Sequence, residues 1–160
     1  MYLKNLKYIL KHKWFVFLAC CRLGIWWRGI THDLSKFRPS EFIPYARHFF
    51  NDVKRGATGY YKSEDTLIDP NFDYAWFLHQ KRNDHHWQYW IIPLDEDENG
   101  PTCSTVEMPL NVCKEMVADW IGAGRVQGTP NTKRWYEVHG PKLQLHPQTR
   151  QTIEKLLGVK

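Results

Sequence analysis

Apolar residues recur at helical spacing near the start of the chain, and this periodicity constrains the fold more than any other feature. Within residues 2–21 they lie mostly three or four positions apart, at Leu3, Leu6, Leu10, Trp14, Phe17 and Leu18. That spacing predicts an amphipathic helix with His12 in its middle. The apolar run 14–21 is far shorter than the roughly 20 residues that span a bilayer, so we expect a core helix and no membrane span.

Proline and glycine residues at suitable positions indicate further helices. These are predicted at about 25–32, 39–54, from 71 or 73 to 86, 110–124 and 147–158. Pro39 and Pro147 suit the first turn of a helix, where the missing N–H group costs nothing. Gly122 and Gly124 are predicted to end the fifth helix.

Three segments are not predicted to be helical. Segment 88–108 is predicted to form a β-hairpin, because two strand-like runs flank the acidic stretch "DEDEN". Segment 55–71, rich in Gly, Asp and Ser, is predicted to be a loop. Segment 125–145 is predicted to be irregular and basic, and its part 128–142 would form either a lid or wall of a substrate site or an ordered surface loop. We expect one domain over residues 1–160, mainly α, in a compact bundle with one small hairpin.

The charge and the cysteine content narrow the classes of function. The formal net charge of +5 is modest, and no basic stripe with interleaved aromatic residues stands out. The sequence therefore favours a small anionic ligand over nucleic acid. Four cysteines without a CxxC pair indicate a reduced, cytoplasmic protein, and no signal peptide is expected.

Three imidazoles within the string "HQKRNDHHW" give the strongest chemical signal. Trp76, His79, Asn83 and His86 are spaced three, four and three residues apart, so they share one face if the fourth helix is continuous. His85 lies directly beside His86. The alternative interpretation is a solvated polar face.

A second signal is the pair His32-Asp33, together with His12 in the first helix. Adjacent residues on a helix point about 100° apart, so both members of the pair hold one metal only in a tight geometry. The alternative role of Asp33 is to cap the following turn, and His12 would then be a half-buried structural residue.

Glu115 and Asp119 lie four residues apart in the fifth helix and therefore share a face. Apolar residues surround them, and a carboxylate in such surroundings needs a partner, either a metal ion or Lys114. If the imidazoles and carboxylates converge, their nitrogen and oxygen atoms suit one or two divalent ions of Mn, Fe, Co, Ni or Zn. Asp33 would bridge a two-metal site.

The chemically distinctive residues follow one another in a characteristic order: His12, His32-Asp33, His79, His85-His86 and Asp119. In this order the chain resembles the HD-domain superfamily of metal-dependent phosphohydrolases. "HDLSK" resembles the HDxGK variant of that superfamily, with Ser35 where glycine is often found. Over roughly residues 5–158 the strings "RGITHDLSKFRPSEF", "AWFLHQKRNDHHW" and "MPLNVCKEMVADWIGAG" are more closely similar to domain of unknown function 5662, an HD-like family of bacterial and phage proteins.

The resemblance implies an HD-domain-like helical bundle with the metal site at its centre. The implied metal ligands are His12, His32, Asp33, His79, His85, His86 and Asp119. It also implies that Lys36 contacts the phosphate of a substrate.

The expected activity is hydrolysis of a nucleotide or a similar small phosphate ester by a metal-activated water. The expected catalytic residues are Asp33, Lys36, Glu41 and Glu115, where Glu41 or Glu115 would orient a water or a ligand histidine. The expected substrate contacts come from Lys36, Arg38, Lys81, Arg82 and Asn83. Aromatic rings that could stack on a base belong to Trp76, Trp87, Trp135 and Tyr136.

Two other classes of function stay open at this stage. One is a di-iron oxygenase, because some two-iron HD proteins are oxygenases. The other is a non-catalytic factor of phage origin that binds a nucleotide or a host protein. The expected location is the cytoplasm, or the host cytoplasm if a phage encodes the protein.

Overall fold

The structure is a computed structural model that describes residues 1–50, 69–94 and 102–159. This part of the chain holds seven α-helices and one two-stranded antiparallel sheet, so the prediction of a mainly α fold with one small hairpin is confirmed. The helices are α1 (Tyr2–Arg22), α2 (Trp26–Thr31), α3 (Pro39–Phe50), α4 (Pro70–Arg82), α5 (Leu110–Gln127), α6 (Thr132–His139) and α7 (Pro147–Leu157). The strands are β1 (Ile91–Pro93) and β2 (Cys103–Thr105), with Ile91 opposite Thr105.

The first helix forms as predicted, but its buried face differs from the one that the large apolar residues mark. Leu3, Leu10 and Trp14 are exposed, whereas the buried residues of α1 are Asn5, Ile9, His12, Val16, Ala19 and Cys20. This face packs on α5, and α2 and α3 also contact α1. Small side chains let α1 approach its neighbours closely, and His12 is carried into the interior.

The predicted end of the fifth helix at Gly122 and Gly124 is wrong. Helix α5 continues to Gln127 and ends at Gly128, which has the left-handed conformation (φ 77°) that favours glycine. A Cβ atom at Gly122 would lie 2.4 Å from Cγ2 of Val16. Gly122 is therefore needed for the close packing of α1 on α5 and does not end the helix.

The fourth helix is shorter than predicted. It begins at Pro70, where the side chain of Asp69 accepts hydrogen bonds from the N–H groups of Asn71 and Phe72. It ends at Arg82, so the predicted continuation through His86 is wrong. The third helix reaches Phe50 within the described part of the chain, and residues 51–54 of its predicted range lie outside it. The predicted loop 55–71 also lies outside it up to residue 68, and its last two residues are helical, since they belong to α4.

The segment 125–145 is not irregular as predicted. It contains the end of α5, all of α6 and a 3₁₀ helix at Gly140–Lys142. Asn131 starts α6 by accepting a hydrogen bond from the N–H group of Arg134 at 3.0 Å. The hairpin strands are shorter than expected, since Trp87–Trp90 is a 3₁₀ helix, and the predicted acidic turn lies outside the described residues.

Two apolar clusters support the bundle. One joins α5, α6 and α7 and includes Val112, Met116, Tyr136 and Ile153. The other joins α1, α2 and α5 around Val16, Cys20, Ile25 and Ala118. Within the described ranges, every helix is too short or too polar to cross a membrane.

Candidate metal centre

Side chains from α1, α4, α5 and two turns meet in one buried cluster. His12 comes from α1, His79 from α4 and Asp119 from α5. His32 and Asp33 lie in the turn after α2, and His85 and His86 lie in the turn after α4. All seven residues predicted as metal ligands therefore belong to two groups of neighbouring side chains that share Asp33.

One set of ligand atoms is formed by His12, His32, Asp33 and Asp119. His12 Nε2 lies 2.9 Å from Asp119 Oδ1, and His32 Nε2 lies 3.3 Å from Asp33 Oδ2 and 3.4 Å from Asp119 Oδ1. The four atoms lie within 4.8 Å of one another. Two imidazole nitrogens and two carboxylate oxygens are a donor set that suits a divalent transition metal.

A second set shares Asp33 with the first. Asp33 Oδ1 lies 3.3 Å from His79 Nε2 and 3.4 Å from His85 Nε2, and His86 completes a group of four with ligand atoms within 4.8 Å of one another. Since Oδ2 of Asp33 belongs to the first set and Oδ1 to the second, this carboxylate is placed to bridge two ions. The two sets together could hold two metals.

Departure from helical geometry lets neighbouring residues point into the same site. Helix α2 ends at Thr31, and the backbone of His32 is no longer helical (φ −49°, ψ 129°). Asp33 is left-handed (φ 55°), alone among the non-glycine residues of the described chain. Aspartate tolerates this conformation better than most residues. Lys13 Nζ holds the turn by donating to the backbone carbonyls of Ile30, at 3.1 Å, and His32.

The side chain of Asp33 does not have the capping role that was considered for it. Asp33 occupies the N-cap position of the 3₁₀ helix Leu34–Phe37, but its side chain makes no capping hydrogen bond within the described chain. His85 and His86 are likewise neighbours outside a helix, because both follow the end of α4. They too can therefore point into the same site.

The cluster contains buried polar atoms that a further ligand would satisfy. Nε2 of His79, His85 and His86 and Oδ1 of Asp33 have no hydrogen-bond partner among the described residues. A buried polar atom without a partner costs roughly 1–3 kcal/mol, and here four such atoms face one another. The donor set and these unpartnered atoms both fit a bound divalent ion.

Glu115 orients two of the histidines. Its Oε1 lies 2.9 Å from His32 Nδ1 and 3.3 Å from His85 Nδ1. On its other side it pairs with Arg28, which also pairs with Asp84. Lys114, considered as the partner of Glu115, instead donates to the carbonyl of Leu23 at 2.8 Å.

Glu41 has the corresponding position beside His79. Its Oε2 lies 2.8 Å from His79 Nδ1 and accepts a hydrogen bond from Ser35 Oγ at 2.8 Å, and its Oε1 accepts from Arg82 Nη1 at 2.6 Å. Asn83 donates to Ser35 Oγ at 2.8 Å. Hydrogen bonds of this kind fix the ring and the tautomer of a ligating histidine, so that Nε2 is left for the metal.

The surrounding cations keep the cluster's carboxylates charged. Burial by itself would raise the pKa of the Asp33 carboxyl, but the charges of His32 and Lys36 outweigh burial and hold it well below its usual range. Burial by itself would also raise the pKa of Asp119. Hydrogen bonds from His12 and His32 outweigh burial, so the pKa of Asp119 is also well below its usual range.

The surroundings shift the pKa values of two histidines in opposite directions. Burial disfavours the charged form of His32, but Asp33, Asp119 and Glu115 together raise its pKa well above the ordinary value. Burial, and then the nearby His85 and His79, hold the pKa of His86 well below the ordinary value.

Two cavities adjoin the cluster. The larger, of about 650 Å³, is lined by His12, Lys36, His86 and Asp119 among others. The smaller, of about 400 Å³, is lined by His32, Asp33, His85 and Glu115 together with Arg28, Lys81, Arg82 and Asn83. Arg38 is exposed and borders neither cavity.

The sequence interpretation missed Arg28 and Ser35. Arg28 lies one helical turn before His32, and a buried carboxylate at position 115 requires a cation, so a systematic search for its partner could have found Arg28. Ser35 carried no such signal, because its contact with Glu41 depends on the turn that follows Asp33.

The fold and the cluster define a mainly helical protein with buried His, Asp and Glu groups that could bind metal. The chain belongs to the family described as "Family of unknown function (DUF5662)", whose family model matches residues 1–159. The predicted similarity to this family is thereby confirmed. Neither the curated proteins nor the solved structures gave a match to the chain.

Proposed function

We propose that this protein is a metal-dependent phosphohydrolase of the HD-domain type that acts on a nucleotide or a similar small phosphate ester. One observation supports this proposal most strongly: Asp33 gives one carboxylate oxygen to each of two sets of histidine nitrogens. Paired divalent ions about 3.5–4 Å apart are a recurring device for hydrolysing phosphate esters.

In this proposal one ion would be held by His12, His32, Asp33 and Asp119, and the other by Asp33, His79, His85 and His86. Ions bound there would lower the pKa of water towards neutrality and offset charge on the phosphoryl oxygens. The nitrogen and oxygen ligands suit Mn, Fe, Co, Ni or Zn.

The protein's own side chains would bind the phosphate and orient the ligand histidines. Lys36 borders the larger cavity, and its Nζ lies 2.7 Å from Asp33 Oδ2, where its charge can offset that of a phosphoryl oxygen. Glu41 and Glu115 act as positioning residues through Nδ1 of His79 and of His32. Arg82 and Asn83 stabilise the position of Glu41 through their hydrogen bonds to Glu41 and Ser35. Both residues line the smaller cavity, where they could also bind the released phosphate.

The proposed partner is a small anionic molecule in the cytoplasm, or in the host cytoplasm if a phage encodes the protein. All four cysteines are free, which suits a reducing compartment. Nucleic acid is not proposed as the ligand.

The test combines metal analysis with phosphate release from a panel of nucleotides and simple phosphate esters, in the presence of Mn, Fe, Co, Ni, Zn or Mg. We expect about two ions per chain and turnover that Asp33→Asn abolishes, while His139→Ala, outside the cluster, retains it. A folded protein that releases no phosphate with any metal would contradict the proposal. Oxygen uptake by an iron-loaded sample would instead favour the di-iron oxygenase, and tight nucleotide binding without turnover would favour the binding factor.

A further inference from the structure

The larger cavity is built mainly from aromatic side chains. Nine Tyr, Phe and Trp residues of the described chain line it, among them Tyr8, Tyr45, Trp76, Trp87 and Trp120. Its volume of about 650 Å³ lies within the range of small-molecule sites, roughly 300–1,000 Å³. The cavity therefore has room for a flat apolar body next to the metal-centre residues that also border it.

Within the described part of the chain, few Lys, Arg, Asp or Glu side chains line this cavity. Among the described residues that line it, Lys36 is the only Lys or Arg, and the carboxylates are Asp73 and Asp119. A second or third phosphate group would need further cations or Arg side chains to replace its hydration. The described lining offers none away from Lys36, so it suits a ligand with a single phosphate.

Two residues of the cavity lining each carry a buried side-chain oxygen without a hydrogen-bond partner among the described residues. These atoms are Gln88 Oε1 and Thr132 Oγ1. Thr132 is 8 % exposed. Of the rings considered for stacking, Trp76, Trp87 and Trp135 border the cavity, whereas Tyr136 is buried in the apolar cluster of α5, α6 and α7.

We infer that this cavity selects the monophosphate ester of a heteroaromatic compound, such as a nucleoside monophosphate, over esters with two or three phosphates and over non-aromatic esters. Gln88 and Thr132 are the specificity-determining residues, which pair with N–H or O–H groups on the edge of the ring system. The position of the phosphate rests on the proposed function. The binding of the ring system does not, because the aromatic walls and both acceptors exist without a metal.

Binding without turnover tests the inference first. Adenosine, guanosine, cytidine and uridine are titrated into chelator-treated protein, and binding is followed by tryptophan fluorescence and calorimetry. At least one nucleoside should bind, and Thr132→Val and Gln88→Leu should each weaken its binding by about tenfold. Gln148→Leu, an exposed substitution on α7, is the matched control and should leave binding unchanged. Absence of nucleoside binding, or equal binding by all variants, would overturn the inference.

Metal-loaded protein tests the selection for one phosphate. A nucleoside monophosphate should bind at least tenfold more tightly than the corresponding triphosphate and than ribose 5-phosphate. Equal affinities within either comparison would overturn the inference even if every ester were hydrolysed. Conversely, the protein could bind nucleosides, with weaker binding in Thr132→Val and Gln88→Leu, and yet bind no metal or release no phosphate. That result would contradict the proposed function but would still support the aromatic site.

Discussion

His32 Nδ1 lies 2.9 Å from Oε1 of Glu115, a residue 83 positions later in the chain. The contact ties the turn after α2 to α5, and the same carboxylate lies 3.3 Å from His85 Nδ1. One buried acid therefore orients a histidine of each ligand set. Nδ1–H groups that point to Glu115 leave both Nε2 atoms available for metal.

Glu115→Ala should weaken metal binding about 10- to 100-fold, because loss of a hydrogen-bond partner behind a ligating histidine typically has that effect. Glu115→Gln keeps an acceptor oxygen and should have a smaller effect. Titration of metal into chelator-treated protein measures both. Glu137→Ala, an exposed change on α6, serves as the control, and an unaltered affinity in Glu115→Ala would show that the contact does not position the ligands.

Substitutions in the two ligand sets should change the metal content separately. His12→Ala should remove one ion and His79→Ala the other, each leaving about one per chain. Asp33→Asn keeps a residue that tolerates the left-handed backbone but replaces one bridging oxygen with an NH₂ group, so at most one ion should remain. Elemental analysis of folded variants measures this. Two ions retained in Asp33→Asn would exclude a bridging role.

Metal should stabilise the fold and should do so less at low pH. A ligand at 1,000 times its dissociation constant stabilises the native state by about 4 kcal/mol. Protons compete with metal for the imidazole nitrogens, so the gain in Tm should shrink as the pH falls from about 7.5 to 5.5. Thermal unfolding with a divalent metal and with chelator tests this. A metal-dependent gain that grows at acidic pH would speak against histidine ligation.

Gly122→Ala should destabilise the protein, because its Cβ would meet Val16 Cγ2 where α1 packs on α5. Overpacking of this kind typically costs about 1–3 kcal/mol. Val16→Ala removes the methyl group concerned, so the double variant should lose less stability than the sum of the two single changes. Denaturant unfolding of all four proteins measures the coupling. Additive losses would show that the two residues do not limit the helix approach.

The four thiols should separate into two classes by their rate of labelling. Cys21 and Cys103 are exposed, whereas Cys20 and Cys113 are buried, and burial raises the pKa of both buried thiols to about 11. Since the thiolate is the reactive form, two thiols should react quickly in native protein and two only after unfolding. Peptide mapping after brief alkylation identifies them. Rapid labelling of Cys113 would contradict the packing of α5.

The sequence alone was sufficient to predict most helices and the identity of the clustered residues. Apolar periodicity and proline positions placed α1, α7 and the start of α3 correctly to within a few residues, because these signals act within one or two helical turns. The types of side chain also indicated which ligand the cluster could bind, since imidazoles and carboxylates together are a donor set that suits transition metals.

Only the tertiary structure decided where α4 ends, that α5 continues past Gly122, and how the ligands meet. No glycine or proline marks the end of α4, and Asn83 leaves the helix while its side chain donates to Ser35 Oγ at 2.8 Å, a contact with a residue 48 positions away. Gly122, which locally resembles a helix end, instead allows α5 to pack against Val16. Local sequence signals cannot report such contacts, because their free energy arises only when segments distant in the chain are packed together.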